Sequence, residues 1–209
     1  TYVKVGANAY IFTVTVSGDQ GSPISWIGYD SARNDNPTGT GRPLFDGGTD
    51  TTNCITVASD KYRNNFKYLR ITRASATGFS TGSSSVPSLY YVSSYSNAGD
   101  GFTTGVAAYL CDSYSNTSDG FGGTGGNNGR IMWCYVHDNT GDGAGEYYQD
   151  GPDLYYSIFE SNTGCGVRFR GYAAFNCIAY NNTAATSDGF AEGASNQDTY
   201  LPFVILINN

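Results

Sequence analysis

The densest group of acidic residues in this charge-poor chain lies in VHDNTGDGAGEYYQDGPD, residues 136–153. Asp142 and Glu146 of this segment are followed by Arg168 and Arg170, which stand two residues apart in GVRFRG and would share one face of a strand. Paired carboxylates can act as the general acid and the general base of glycoside hydrolysis. The same groups can also bind a sugar or form ion pairs on a solvated face, so three interpretations are open.

A second set of acidic residues precedes glycine at recurring positions: Asp100, Asp119, Asp142 and Asp188. Brought into one column, their oxygens could bind calcium. Asp-Gly is also an ordinary turn pair, in which the carboxylate accepts hydrogen bonds from nearby backbone. The turn is favoured because no acidic residue precedes Gly78 or Gly166, and no glycine-rich calcium-binding nonapeptide occurs. We therefore expect no cofactor, with calcium as the exception to test.

A third set combines aromatic and ionisable side chains: Tyr95, Tyr114, His137, Glu160 and Tyr180. Five more tyrosines, predicted to begin neighbouring strands, accompany them: Tyr90, Tyr91, Tyr109, Tyr155 and Tyr156. Because tyrosine combines apolar area with a hydroxyl, an exposed column of this kind could stack on sugar rings or pack against a partner protein. The alternative is that like residues stack on one another within the fold.

The elements that position these residues follow from a repeat. The residues after the recurring glycine are Phe79, Phe102, Phe121, Ala144, Val167 and Phe190, at steps of 23, 19, 23, 23 and 23 residues. The 19-residue step predicts a tight turn between Phe102 and Cys111. A unit of this length without a helix cannot bury a face alone, whereas stacked units can pair their strands about 4.8 Å apart.

Further columns within the repeat have the pattern of a strand followed by a turn. Two columns, spaced two residues apart, carry small or apolar side chains and are predicted to face the core: Leu69, Val92, Cys111, Cys134, Ser157, Cys177 and Val204, then Ile71, Ser94, Ser113, Val136, Phe159, Ala179 and Leu206. The next column is Asn97, Asn116, Asn139, Asn162 and Asn182. Since asparagine tolerates left-handed backbone conformations, we expect it at a recurring tight turn. The three column cysteines, Cys111, Cys134 and Cys177, are predicted to be buried thiols.

With this repeat, the chain resembles the right-handed parallel β-helix proteins, the superfamily of pectate lyases, polygalacturonases and phage tailspikes. The resemblance covers residues 64–209, through coils such as PSLYYVSSYSNAGDGF and DLYYSIFESNTGCGV. Residues 1–63 resemble the entry strands and first coils, with a loop near 33–43. The resemblance implies an all-β solenoid with coils of about 19–27 residues. A β-sandwich also has short strands but gives no reason for the repeat. In the superfamily's lyases, calcium neutralises a uronate and an arginine abstracts a proton; no such motif matches here.

Composition excludes some classes of function. The formal net charge is −7 and the isoelectric point is about 4.4, which argues against nucleic-acid binding because phosphate contacts need clustered cations. No apolar run approaches the roughly 20 residues that a membrane span requires.

Together these observations predict a non-catalytic structural or adhesive module of an extracellular, cell-surface or virion-associated protein. It would present a Tyr- and Asn-rich face to glycans or neighbouring subunits, as a section of a longer stack. Tailspikes suggest that such a chain can form a homo-oligomer, by analogy of fold. The alternative function is that of a polysaccharide lyase or glycoside hydrolase.

Overall fold

The computed structural model describes residues 12–19, 21–32, 35–48, 52–103, 105–122, 129–145, 153–169, 174–183, 189–192 and 205–207. These residues form short β-strands and a single 3-10 helix, at Gly39–Gly41. The strands are β1 (Phe12–Val14), β2 (Ile24–Ile27), β3 (Leu44–Asp46), β4 (Ile55–Val57), β5 (Asn64–Lys67), β6 (Arg70–Thr72), β7 (Phe79–Thr81), β8 (Ser88–Tyr90), β9 (Ser93–Tyr95), β10 (Phe102–Thr103), β11 (Ala107–Tyr109), β12 (Asp112–Tyr114), β13 (Phe121–Gly122), β14 (Arg130–Met132), β15 (Tyr135–His137), β16 (Asp153–Tyr155), β17 (Ile158–Glu160), β18 (Val167–Phe169), β19 (Ala174–Phe175), β20 (Ile178–Tyr180), β21 (Phe190–Glu192) and β22 (Ile205–Ile207).

The strands form three parallel sheets that the chain visits in turn. Sheet 1 contains β1-β4-β7-β10-β13, and bridges through Ala144 continue it towards the pair β18-β21. Sheet 2 has the order β2-β5-β8-β11-β14-β16-β19, and sheet 3 the order β3-β6-β9-β12-β15-β17-β20-β22. Each strand pairs with its counterpart one coil along the chain. This arrangement confirms the predicted right-handed parallel β-helix.

The recurring glycine directly precedes the sheet 1 strands β7, β10 and β13, and the residue after it enters the core. Phe79, Phe102 and Phe121 are paired directly across sheet 1 and are completely buried. The rings of Phe102 and Phe121 stack with centroids 4.9 Å apart. The 19-residue step has its predicted cause. The sheet 2 strand β11 begins at Ala107, five residues after Phe102, whereas β14 begins at Arg130, nine residues after Phe121. The connection after Phe102 is therefore the shorter one.

The asparagine column has a different role from the one predicted. The left-handed conformation belongs to the residue before each asparagine, at Ser96, Ser115, Asp138, Ser161 and Asn181, with φ between 52° and 55°. The asparagines themselves are buried. Asn116 donates from its backbone N and from Nδ2 to Oδ1 of Asn139, over 3.1 and 2.9 Å. The prediction was wrong because the turn directs the asparagine inward, where its amide satisfies backbone groups of adjacent coils.

Candidate functional site

The outer face of sheet 3 carries the predicted mixed column in register. Tyr95, Tyr114, His137, Glu160 and Tyr180 occupy equivalent positions on five successive strands. Their side chains alternate in direction with Ser94, Ser113, Val136, Phe159 and Ala179, which are all fully buried. The inward column therefore fixes the outward one, because neighbouring residues of a strand face opposite sides.

The rings of this column stack on one another. The centroids of Tyr95 and Tyr114 are 4.9 Å apart at an interplanar angle of 3°, and those of Tyr114 and His137 are 5.0 Å apart at 6°. Ring faces within the stack are therefore covered by neighbouring rings, and the ring edges with their polar atoms point away from the sheet. Desolvation by burial and the neighbouring Tyr95 raise the pKa of the Tyr114 hydroxyl, so it remains a neutral hydrogen-bond donor.

A cluster of polar groups lies where the stack reaches His137. Nδ1 of His137 is 2.7 Å from Oδ2 of Asp138, and the ring of Tyr135 is 4.1 Å from the imidazole. The hydroxyl of Tyr135 donates to Glu160, and desolvation together with this bond raises the pKa of Tyr135 well above its usual value. Tyr180 is also hydrogen-bonded to Glu160, which raises the pKa of the Tyr180 hydroxyl. The cluster offers donors and acceptors to a bound molecule.

The aspartate column forms a ladder of hydrogen bonds between coils. Oδ1 of Asp100 accepts from the backbone N of Asp119 over 3.1 Å, and Oδ1 of Asp119 accepts from the backbone N of Asp142 over 2.7 Å. Asp142 continues the series by accepting from the N of Cys165 over 2.7 Å. These carboxylates thus bond to the next coil rather than to their own turn. Asp188 lies outside the described residues.

Burial within this ladder changes the acidity of its middle member. Desolvation is the main cause that raises the pKa of Asp119 to about 7, and the adjacent carboxylates Asp142 and Asp100 contribute repulsion. A Cβ built on Gly145 would lie 2.0 Å from Oδ2 of Asp119. Any side chain at position 145 would therefore displace the carboxylate of Asp119. Within the described residues, no group of three or more His, Cys, Asp or Glu side chains is arranged to hold a metal ion.

Arg168 binds the last described carboxylate of the ladder. Its Nε is 3.1 Å from Oδ2 of Asp142, and the carboxylate side chain is 10% exposed. An ion pair between coils is therefore present, with Asp142 as the partner of Arg168. The other members of the predicted acidic and basic group, Glu146 and Arg170, lie outside the described residues. Asp142 and Arg168 are thus bound to each other, and a catalytic role for either of them remains a prediction.

All five cysteines are buried and none of them forms a disulfide. Cys111, Cys134 and Cys177 lie in the inward column as predicted, where desolvation raises the pKa of Cys134 and brings that of Cys177 to about 11. A thiol kept protonated in this way is a poor nucleophile. The cysteines therefore act as small core residues.

The sequence did not reveal a second aromatic feature, at the corner between sheets 2 and 3. One residue makes this corner in each coil, and we call the set the corner ridge: Tyr68, Tyr91, Leu110, Trp133 and Tyr156. All five have φ between 50° and 56°, a conformation that costs a non-glycine residue about 1–2 kcal/mol. The prediction that five tyrosines begin strands was wrong: Tyr90, Tyr109 and Tyr155 end strands of sheet 2, and Tyr91 and Tyr156 directly follow such ends. The available signal was a bulky residue directly before each of the first five members of the inward column that starts at Leu69.

Ridge side chains are largely exposed and stack in two pairs. Tyr91 is 42% exposed, Leu110 42%, Trp133 49% and Tyr156 51%. Tyr68 and Tyr91 stack with centroids 5.2 Å apart, and Trp133 and Tyr156 with centroids 5.8 Å apart. Such a concentration of exposed apolar side chains on a water-facing corner is typical of an interaction site.

Comparisons with known proteins bear on the fold. No family model matches the chain, and no curated protein matches it. Two solved structures are similar. Pectate lyase Pel9A has 15% identity and a TM-score of 0.59 over 98% of this chain and 65% of its own chain. The A-module of mannuronan C-5 epimerase AlgE4 from Azotobacter vinelandii has 12% identity and a TM-score of 0.50 over 79% of this chain and 74% of that one. At these identities the similarity establishes the parallel β-helix fold. No helix in the described part of the chain is long and apolar enough to cross a membrane.

Proposed function

We propose that this chain is a rigid, non-catalytic glycan-binding section of an extracellular surface protein, with the outer face of sheet 3 as its binding face. The observation that carries the proposal is the stacked column of Tyr95, Tyr114 and His137, continued by Glu160 and Tyr180. It presents polar ring edges at intervals of 4.9–5.0 Å, close to the length of one sugar in an extended pyranose chain. The names of the two similar structures, an epimerase of mannuronan and a pectate lyase, also support a carbohydrate partner.

The chemistry of the face suits binding more than turnover. Its hydroxyls and carboxylates can donate to and accept from sugar hydroxyls, which gives orientation without covalent change. A neighbouring subunit of the same protein is the competing occupant, since stacked tyrosines also suit protein interfaces. Binding to a surface glycan would also place the protein outside the cell or on a virion.

A polysaccharide lyase or glycoside hydrolase is the second candidate, and one observation favours it. His137 is oriented by Asp138 at 2.7 Å and lies against Tyr135, whose hydroxyl is bonded to Glu160. A histidine held by a carboxylate, beside a tyrosine and a second carboxylate, could exchange a proton with a bound sugar. The candidate would gain support from new reducing ends or unsaturated products.

The test removes one hydroxyl from the binding face and one from a matched position elsewhere. Tyr114→Phe deletes a hydroxyl while the stack with Tyr95 is kept, and Tyr109→Phe does the same in sheet 2, where Tyr109 stacks on Tyr90 at 4.9 Å. One hydrogen bond contributes about 0.5–1.5 kcal/mol, so Tyr114→Phe should weaken binding about 2–10-fold on a glycan array and in calorimetry. Tyr109→Phe should leave binding unchanged.

Two outcomes would overturn the proposal. One is that no neutral or acidic oligosaccharide binds the wild-type protein at millimolar concentration, or that both Phe variants lose binding equally. The other is turnover of a polysaccharide that is lost in His137→Gln while binding is retained, which would establish the enzyme instead.

A further inference from the structure

The corner ridge has one interruption, and its shape matches a specific ligand. Tyr68 stacks on Tyr91 and Trp133 stacks on Tyr156, but the coil between these pairs carries Leu110. Because each pair is stacked between successive coils, the ring planes lie across the solenoid axis. The uncovered faces of Tyr91 and Trp133 are therefore directed towards each other over Leu110. We call this recess the Leu110 notch.

The width of the notch follows from the coil spacing. Adjacent strands of a sheet are about 4.8 Å apart, so Tyr91 and Trp133, two coils apart, are separated by about 10 Å along the axis. A ring inserted between two aromatic planes needs about 4 Å on each side, or about 8 Å in all. The leucine side chain ends at its Cδ atoms, whereas the rings of tyrosine and tryptophan extend further from the backbone than their Cδ atoms. Leu110 is therefore shorter than the residues on either side of it. One six-membered ring thus fits above Leu110.

We infer that the Leu110 notch holds one pyranose of a neutral β-linked glucan, sandwiched between Tyr91 and Trp133. This inference rests on the proposed glycan-binding function and adds the site and the sugar class. Both faces of a β-glucose ring consist of axial C–H bonds, which carry partial positive charge and suit the negative face of an aromatic ring. A galactose-type ring has an axial O4 on one face and can satisfy only one wall of the notch.

Polar groups around the notch agree with a neutral sugar. Asp112 lies two residues after Leu110 on the outer face of sheet 3, and its side chain is 39% exposed. Its carboxylate accepts from Ser93 Oγ over 3.0 Å and can accept further from an equatorial hydroxyl at the sugar rim. One nearby cation, Arg42, is already engaged, since it donates from Nη1 to the carbonyl oxygen of Tyr91 over 2.6 Å and its Nη2 lies 3.9 Å from Oδ2 of Asp112. With the net charge of −7, this environment disfavours a uronate.

The ridge backbone holds the two walls rigidly. The N–H of Tyr91 bonds to the carbonyl of Tyr109 over 3.1 Å, that of Leu110 to Met132 over 3.0 Å, and that of Trp133 to Tyr155 over 3.0 Å. Each corner is thereby tied to the next coil, so the left-handed conformations are fixed before any ligand arrives. A preformed slot avoids the ordering cost of binding.

The decisive variant fills the notch with a residue that the ridge already accepts. Leu110→Tyr should stack between Tyr91 and Trp133, leave the thermal midpoint unchanged or higher, and weaken cellohexaose binding at least tenfold. Asn176→Tyr is the matched control, because Asn176 occupies the next corner after Tyr156 with φ 52° and is exposed. It extends the ridge without filling the notch and should bind cellohexaose like the wild type.

Binding is measured by tryptophan fluorescence and by calorimetry with cellohexaose, and with oligogalacturonate as the comparison sugar. Wild-type protein should bind cellohexaose more tightly, with a change in emission that is absent in Trp133→Leu. Equal binding of cellohexaose by Leu110→Tyr and wild type would overturn the notch, and so would preference for oligogalacturonate. If Tyr114→Phe weakens glycan binding while Leu110→Tyr does not, the notch inference fails and the proposed function stands. If no glycan binds the wild type, both fail.

Discussion

Removing one amide from the buried asparagine ladder should destabilise the whole solenoid, and Asn139→Ala is the sharpest case. Oδ1 of Asn139 accepts from the backbone N of Asn116 over 3.1 Å and from its Nδ2 over 2.9 Å. Nδ2 of Asn139 donates to the carbonyl of Ser113 over 3.1 Å and to Oδ1 of Asn162 over 2.9 Å. The substitution removes four hydrogen bonds from a site that is 1% exposed.

The expected magnitude depends on which partners have alternatives. Nδ2 of Asn116 keeps Ser113 Oγ at 3.2 Å, and Oδ1 of Asn162 keeps the backbone N of Asn139 at 3.1 Å. The backbone N of Asn116 loses its acceptor. A buried donor without a partner costs about 1–3 kcal/mol, and the three remaining bonds add about 0.5–1.5 kcal/mol each, so the free energy of unfolding should fall by roughly 2.5–7.5 kcal/mol.

Urea unfolding followed by circular dichroism measures the loss, and hydrogen exchange locates it. The amide of Asn116 should exchange faster, together with amides of the coils on either side. Thr140→Ala is the control, because Thr140 is exposed and adjacent in sequence; it should change the free energy of unfolding by less than about 0.5 kcal/mol. A loss below about 1 kcal/mol for Asn139→Ala would refute the argument that the ladder stabilises the stack.

Three further predictions concern the carboxylate ladder. The pKa of Asp119 is about 7 in the folded protein, against 3.8 as the ordinary value, so the folded state binds the proton more tightly than the unfolded state. The free energy of unfolding should therefore fall as pH rises from 4 to 7, by at most about 4 kcal/mol. Asp119→Asn should remove this dependence. Gly145→Ala should destabilise by about 1–3 kcal/mol in thermal unfolding, because its Cβ would lie 2.0 Å from Oδ2 of Asp119, whereas Gly21→Ala, with open space around it, should not. Arg168→Met should cost about 1–3 kcal/mol in urea unfolding, because Asp142 would keep a buried charge without its cation.

Each of these predictions has a contradicting result. Equal pH dependence in Asp119→Asn and wild type would show that another group titrates between pH 4 and pH 7. Equal thermal midpoints for Gly145→Ala and Gly21→Ala would mean that the ladder can move aside. A stable Arg168→Met protein at pH 7 that is not further stabilised at pH 4 would mean that Asp142 does not depend on the arginine.

The repeat in the sequence predicted the fold because the physical demand on the core recurs once per coil. Gly101, before the inward Phe102, has no room for a side chain because a Cβ there would lie 2.1 Å from Ser113 Oγ, so the Gly-Phe step recurs as a spacing in the sequence. The outward column of Tyr95, Tyr114 and His137 was predictable for the same reason, since strand alternation fixes it once the inward column is known.

The asparagine and aspartate columns were identified correctly as columns, but their bonding was not. Their residue types predict turn positions for both Asn139 and Asp119, with the Asp119 carboxylate bonded to nearby backbone. In the structure both bond to adjacent coils, with Asn139 bonded to Ser113, 26 residues away, and Asp119 to Asp142, 23 residues away. Local propensity describes what a side chain can do within its own turn, and it contains no information about the groups that stacking places next to it.

The sequence by itself determined the coil length, the solenoid and the side of each strand that faces the core, because these follow from spacing and from the alternation of strand residues. Only the tertiary structure decided which side chains meet between coils. It stacked Tyr91 and Trp133 with different neighbours and left Leu110 between them, and it buried Asp119 far enough to raise its pKa. Those properties depend on distances between residues of different coils. The repeat predicts that such residues are neighbours, but the distances between them cannot be read from the sequence.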